Sequence, residues 1–409
     1  MIFKRPPLPH EGDLRLDPEV RAGIEARRAQ PFSVEAMLAQ MRDGSRSVAG
    51  RVLVFVITLA AAVICTLPFL FLTGAELGVT LSAFLNGSLG SKFAFAETLV
   101  QMIPLLIAGM AVAISFHGGL FNMGVEGQLI FGGLVAGVIG ATVEAPPLVL
   151  SVLVLLGGVL GGALAALVPA LLKAYRGVHE VVTTIMMNFV ATYFAIYAVA
   201  PAGPFVAATQ PSATEKIPRD ARLPMVWDGT RLHAGVIIAL VAVVGLWWLL
   251  YRTPLGFRIR LMGKNAGAAR ASGVSVKRTI ITTLLISGGF GGLAGAVQVL
   301  GVYGRFFDAF SAGYGWDAIA VALLAALSPF ALIVSAFFFA MLDSGAVQMQ
   351  AVAGVSREMV GVVSGLVVAF VAIQPWLLHG LDRMRSRRRS RRDSAPAASA
   401  PLTDTGDAT

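Results

Sequence analysis

LVLSVLVLLGGVLGGALAALVPALL, residues 148–172, is an unbroken apolar run without a single charge. Wound as an α-helix at about 1.5 Å per residue it would be roughly 37 Å long. That exceeds the hydrocarbon core of a bilayer, which is about 30 Å thick. Such a run is read as a membrane-spanning helix. Working outward, comparable runs occupy 52–73, 99–116, 180–200, 234–251, 279–300, 329–349 and 358–379. Two more are short or interrupted, 124–143 behind a Gly-rich stretch and 316–328 between Asp317 and Pro329. The expected fold is an all-α polytopic membrane protein. Its crossings number about ten (eight if the interrupted pair is discounted), with broken or short helices near 117–128 and 311–330.

Composition agrees. Of 409 residues, 56% are apolar and 13% charged, against roughly 45–50% and 25% in ordinary soluble domains. This excludes a soluble globular enzyme and a disordered chain. The single Cys65 excludes a disulfide framework. The net charge of +9 needs no nucleic acid, because cytoplasmic loops of membrane proteins are rich in Lys and Arg. The loop 252–278 holds Arg252, Arg258, Arg260, Lys264, Arg270, Lys277 and Arg278 with no acid, and a cluster of arginines follows the last run at 383–392. Lys173 and Arg176 lie between two spans. The bias places both termini, the 173–179 turn and the 252–278 loop in the cytoplasm of a multi-pass membrane protein. Residues 1–50 read as a polar cytoplasmic arm, with no apolar core of a signal peptide. Within it, 34–41 is either a surface helix or a solvated segment. Residues 51–380 read as the transmembrane domain, and 381–409 as an Arg-rich, then disordered, tail.

Small residues recur at four-residue spacing: Gly157/Gly161, Gly158/Gly162, Ser287/Gly291/Gly295, Gly288/Gly292 and Gly361/Gly365. They allow helices to approach closely, within one bundle or across a dimer seam. Nucleotide-hydrolysing and peptidase chemistry finds no support. No phosphate loop is present, and Gly263-Lys264 is followed by Asn265 rather than Ser or Thr. His179-Glu180 lacks a second histidine at 183, and no Gly-x-Ser-x-Gly elbow occurs. No metal or cofactor site is expected.

Four polar segments interrupt the apolar background. GLFNMGVEGQ, 119–128, breaks a helix and sets Asn122, Glu126 and Gln128 at or near membrane depth. It is either buried and functional or a solvated cytoplasmic hairpin. TPLGFRIRLMGKNAGAARASGV, 253–274, contains an alanine-rich stretch, 266–271, that Asn265 can cap and Gly263 and Gly273 frame. It suits a docking helix or a basic loop on anionic lipid. VHEVVTTIMMN, 178–188, opens a span in which Glu180, Thr184, Asn188 and Thr192 share one face. That stripe either bonds to neighbouring helices or lines a polar route, with His179 and Glu180 at its cytoplasmic mouth. GYGWDAIAVALLAALSPF, 313–330, pairs a Gly-rich break with Trp316 and Asp317. The first and last of these echo each other, as in transporters built on broken helices. Asp343, Ser344, Arg305 and Asp308 fall at outer ends, as a solvated rim or an outer-gate ion pair.

In this order the four segments resemble the integral-membrane permeases of ATP-binding-cassette importers, in the subfamily for simple sugars and branched-chain amino acids. NMGVEGQ, HEVVTTIMMN and GKNAGAARASGV followed by SGGFGGLAGA look most like nucleoside importer permeases. Ribose-type relatives carry Asp-Leu-Ser-Val-Gly where this chain has NMGVEGQ. The resemblance covers about 50–380. It implies a separate ATPase docking through Gly263, Lys264, Asn265, Ala268, Ala269 and Gly273. It also implies a second, related permease rather than a homodimer, and an extracytoplasmic substrate-binding lipoprotein. A small-molecule substrate would pass along Asn122, Glu126, Gln128, Thr184, Asn188, Thr192, Trp316 and Asp317. The rivals are an ion-coupled carrier, with Glu126, Glu180 and Asp317 as its charges, and a membrane-embedded enzyme.

Overall fold

A computed structural model of the chain describes residues 76–354, together with Gly361, Val362, Gly365, Leu366 and Ala369. The arm at 1–50, the runs 52–73 and 358–379 and the tail at 381–409 lie outside the described residues, apart from those five. Among the described residues there are eleven α-helices and no named strand. They are α1 (Leu77–Ser88), α2 (Lys92–His117), α3 (Val125–Thr142), α4 (Pro147–Leu171), α5 (Glu180–Val199), α6 (Gly235–Arg252), α7 (Pro254–Lys264), α8 (Ala266–Ala271), α9 (Val276–Gln298), α10 (Tyr314–Leu324) and α11 (Ala331–Ala353). Seven of them are long and apolar enough to cross a membrane: α2, α3, α4, α5, α6, α9 and α11.

α2 is the axis of the bundle. From Met102 to His117 every residue is buried, as expected of a helix apolar on all sides. It packs against α6, α9, α10 and α11. The spacing of apolar residues places its start at 99, but the helix begins at Lys92, where Ser91 accepts the Ala94 N–H. Lys92 and Glu97 mask that start in the sequence. Both are satisfied at the rim: Lys92 donates to the Asp228 carbonyl and Glu97 pairs with Arg231. The connection 74–98 likewise holds α1, which lies along α11.

α3, α4 and α9 pack through glycines. A Cβ on Gly132 would strike Gly292, one on Gly162 would strike the Gly288 carbonyl, and one on Gly295 the Leu129 carbonyl. The four-residue spacing in α4 and α9 is therefore used inside this chain. Both helices end in a wide π-turn, Leu172–Arg176 and Val299–Tyr303, closed by left-handed Gly177 (φ 67) and Gly304 (φ 68).

The basic residues Lys173, Arg176, Arg252, Arg270, Lys277 and Arg278 fall at one end, on the last turns of α4 and α6, the helices α7 and α8, and the first turn of α9. Lys277 lies over Tyr175, and Arg260 over Tyr251. α10 has 11 residues, about 16 Å, too short to cross alone. The segment before it covers the remaining depth as non-helical chain. Phe306 packs at Gly137, Phe310 at Gly133 and Gly315 at Glu126, stepping down α3 from the end opposite the basic one. α10 then carries the chain on to Phe330, which packs on Trp247 near the Arg252 end of α6. Phe306 and Phe310 are buried, the condition for irregular backbone at membrane depth.

Candidate functional site

α2 stops at His117. Gly119 takes a left-handed conformation (φ 70), and the chain runs unwound to Gly124 before α3 begins. Unwound backbone at this depth needs partners, and α5 supplies them. Glu180 accepts the Phe121 N–H at 3.4 Å, Thr184 the Met123 N–H at 3.2 Å, and Asn188 the Gly127 N–H at 2.8 Å. Asn188 also donates to the Met123 carbonyl at 2.8 Å. The residues at i, i+4 and i+8 of α5 thus clamp the break along its length. Thr192 continues the face and is half-buried. From the start of α5 to Asn188 is about 12 Å, so the α3 start lies well inside the membrane span.

The other flank of the break is a buried amide cluster. Asn122 donates to Ser287 at 2.8 Å and to Gln128 at 3.0 Å, and Gln128 donates back to Asn122 at 3.1 Å. Ser287 in turn donates to the Ala111 carbonyl at 2.6 Å. The helices α2, α3 and α9 are tied together here. Sequence reasoning missed Ser287, which it placed only in a packing motif.

The two broken segments meet. Glu126, buried in the first turn of α3, accepts the Gly315 N–H at 2.7 Å from the first turn of α10. Asp317 occupies the equivalent first turn of α10. Each half-helix therefore carries an acid at its positive N-terminal end, a favourable placement. Trp316 points outward and is exposed. At the basic end Lys173 holds Glu180 at 2.7 Å, while His179 precedes the helix and is exposed. Lys173 was legible only as an orientation charge.

The basic connection folds as two short helices. Thr253 caps α7 through the Gly256 N–H, and Asn265 caps α8 through the Ala268 N–H at 3.0 Å. Ala269 turns inward and is fully buried with Leu120, Met262 and Leu284. Lys264, Ala268, Arg270 and Gly273 face outward. Gly263 lies flat on the start of the break: a Cβ there would strike the His117 carbonyl and come within 2.7 Å of Gly118 and Gly119. The end of α7 and the break are one contact apart.

Residues 94–372 match the family described as the permease component of branched-chain amino acid transport systems. The chain belongs to this family. It is a multi-pass membrane transport permease, in keeping with its seven long apolar helices among the described residues. Bacillus subtilis (strain 168) has two relatives of this permease, the guanosine ABC transporter permease proteins NupP and NupQ. NupP is 36% identical over 310 residues, covering 74% of this chain and 88% of the relative. NupQ is 27% identical over 255 residues, covering 60% and 79%. The glucose ABC transporter permease protein TsgB13 of Haloferax volcanii is 34% identical over 298 residues, covering 69% and 77%.

Proposed function

We propose that this permease is the membrane subunit of an ATP-driven importer for nucleosides or a related simple sugar. One observation carries the reading. Two broken helices meet in a buried polar joint, and the break leading into the first of them rests directly on a short helix pair with an exposed outer face through Gly263. A separate ATPase seats on the outward face of α8, at Lys264, Ala268, Arg270 and Gly273. Its closure displaces α7 and α8, and Gly263 transmits the displacement to Gly118 and Gly119. The clamp from Glu180, Thr184 and Asn188 carries it to α5, and the Glu126–Gly315 bond to α10. Rearrangement of the joint exposes its polar groups to the solute route alternately from each side, along Asn122, Gln128, Thr192, Trp316 and Asp317.

The basic end faces the cytoplasm, with both termini on that side. A second, related permease completes the pathway, as two guanosine permeases in one relative's organism suggest. A substrate-binding lipoprotein delivers solute at the opposite end. Reconstitution with the two partner subunits and the binding protein tests the reading. Uptake of guanosine or glucose should require ATP and the partner ATPase. Uptake driven by an ion gradient without the ATPase would overturn it.

A further inference from the structure

At the end of the bundle opposite the basic helices, a cavity of about 750 Å³ opens between α1, the start of α2, the loop before α6 and the last turns of α11. Small-molecule sites generally occupy about 300–1,000 Å³. Its wall includes Asn86, Glu97, Gln101, Arg231, Ser344 and Gln348, a polar set in an apolar protein. Ser344 is 5% exposed, yet its hydroxyl has no hydrogen-bond partner. A buried hydroxyl left in that state is costly, and this one borders the cavity. Its natural partner is a polar group entering from the cavity.

The charges point to the class of solute. Glu97 and Arg231 lie 3.4 Å apart and neutralise each other. The three amides each offer a donor and an acceptor. An amino-acid zwitterion needs an uncommitted cation and an uncommitted anion, whereas hydroxyls and ring nitrogens need only amides and hydroxyls. The loop over the cavity is held in place. Lys92 donates to the Asp228 carbonyl at 2.6 Å and lies over Trp227, whose ring packs edge-on to Phe95. We propose that this cavity receives a neutral, hydroxyl-rich solute of the nucleoside or sugar class, read by Asn86, Gln101, Gln348 and the Ser344 hydroxyl. The proposal rests on the importer reading above and narrows it: the site discriminates against amino acids.

The test uses the assembled transporter in proteoliposomes, with Cys65→Ser as background. Gln101→Cys and Ser344→Cys are labelled with a small impermeant thiol reagent, and Thr209→Cys, exposed on the same end, is the control. Guanosine or glucose should slow labelling at both cavity positions several-fold and leave the control unchanged. Leucine should slow neither. Ser344→Ala should raise the KM for uptake about two- to tenfold, the loss of one neutral hydrogen bond, at an unchanged maximal rate. Unprotected cysteines and an unchanged KM in a transporter that still imports guanosine or glucose would overturn the cavity and spare the importer. Protection by leucine would overturn the assigned class. Protection by guanosine without uptake would keep the cavity and overturn the importer. Neither protection nor uptake would overturn both.

Discussion

Asn188 is the residue on which the break most depends. Its amide satisfies the Gly127 N–H and the Met123 carbonyl at once; the first lies in the opening turn of α3, where no intrahelical acceptor is available, and the second in the unwound segment before it. Asn188→Leu leaves two backbone groups unpaired, at a cost of about 1–3 kcal/mol each. The variant should melt several degrees lower in detergent and lose uptake, while Thr192→Val, one turn further on the same face, should keep its melting temperature. Equal melting of Asn188→Leu and wild type would remove the clamp from the argument. His233 gives a second test at this scale. Burial, with Arg231 as a further cause, pushes its pKa down to about 4, and the neutral ring accepts the Gly235 N–H through Nδ1. A histidine depressed from about 6.5 contributes stability in full above pH 6.5 and loses it as pH falls toward 4. Thermal stability should therefore drop between pH 6.5 and 4, by up to about 3 kcal/mol. His233→Gln should flatten that slope. A slope unchanged in the variant would assign the acid sensitivity to other groups. The row Glu180, Thr184, Asn188 was legible from a four-residue period alone. What it faces was not, because the break lies some sixty positions earlier and nothing local to α5 encodes it.

At the scale of elements, the proposed path runs from an exposed helix to a buried joint. The cap Asn265 and the helix 266–271 were legible, because an amide before an alanine-rich stretch is a local signal. Which alanine faces inward was not legible in so short a helix. Ala269 is fully buried among Leu120, Met262 and Leu284, and Ala268 is exposed. The two positions should therefore respond differently to the same substitution. Ala268→Asp should abolish co-purification of the ATPase and leave the permease stable. Ala269→Asp should reduce the yield of folded permease itself, because it buries an unpaired charge. Identical behaviour of the two would contradict the packing of α8. Gly263→Ala tests the link to the break. Its Cβ has no room against the His117 carbonyl and the Gly118–Gly119 backbone, so α7 and the break must separate. Binding of the ATPase should persist while uptake per ATP hydrolysed falls. A variant with wild-type uptake per ATP would show that motion reaches the membrane by another route.

For the whole molecule the deciding question is how the chain returns between α9 and α11. Apolar runs alone left 316–328 ambiguous, since neither its length nor Asp317 and Pro329 fit a spanning helix. The resolution is tertiary. The chain from Phe306 to Gly315 descends against Gly137, Gly133 and Glu126 of α3, and α10 covers the rest of the depth. The glycines of α3 leave the room, and no pattern within 304–313 announces it. α9 starts at the basic end and α11 starts there again, beside Trp247. The turn at 325–330 therefore belongs on the same side as α8. In the reading proposed above, the positive charge puts that side in the cytoplasm. Cysteines in place of Ser272 on the α8–α9 connection and Ala326 in the turn should both resist impermeant thiol reagents in intact cells and react once a permeant reagent is used. One in place of Thr209, in the loop between α5 and α6, should react with the impermeant reagent directly. Were 304–330 a surface excursion that never crosses, Ala326→Cys would label with Thr209→Cys from outside. That result would undo the descent along α3, and with it the meeting of Glu126 and Gly315 at membrane depth.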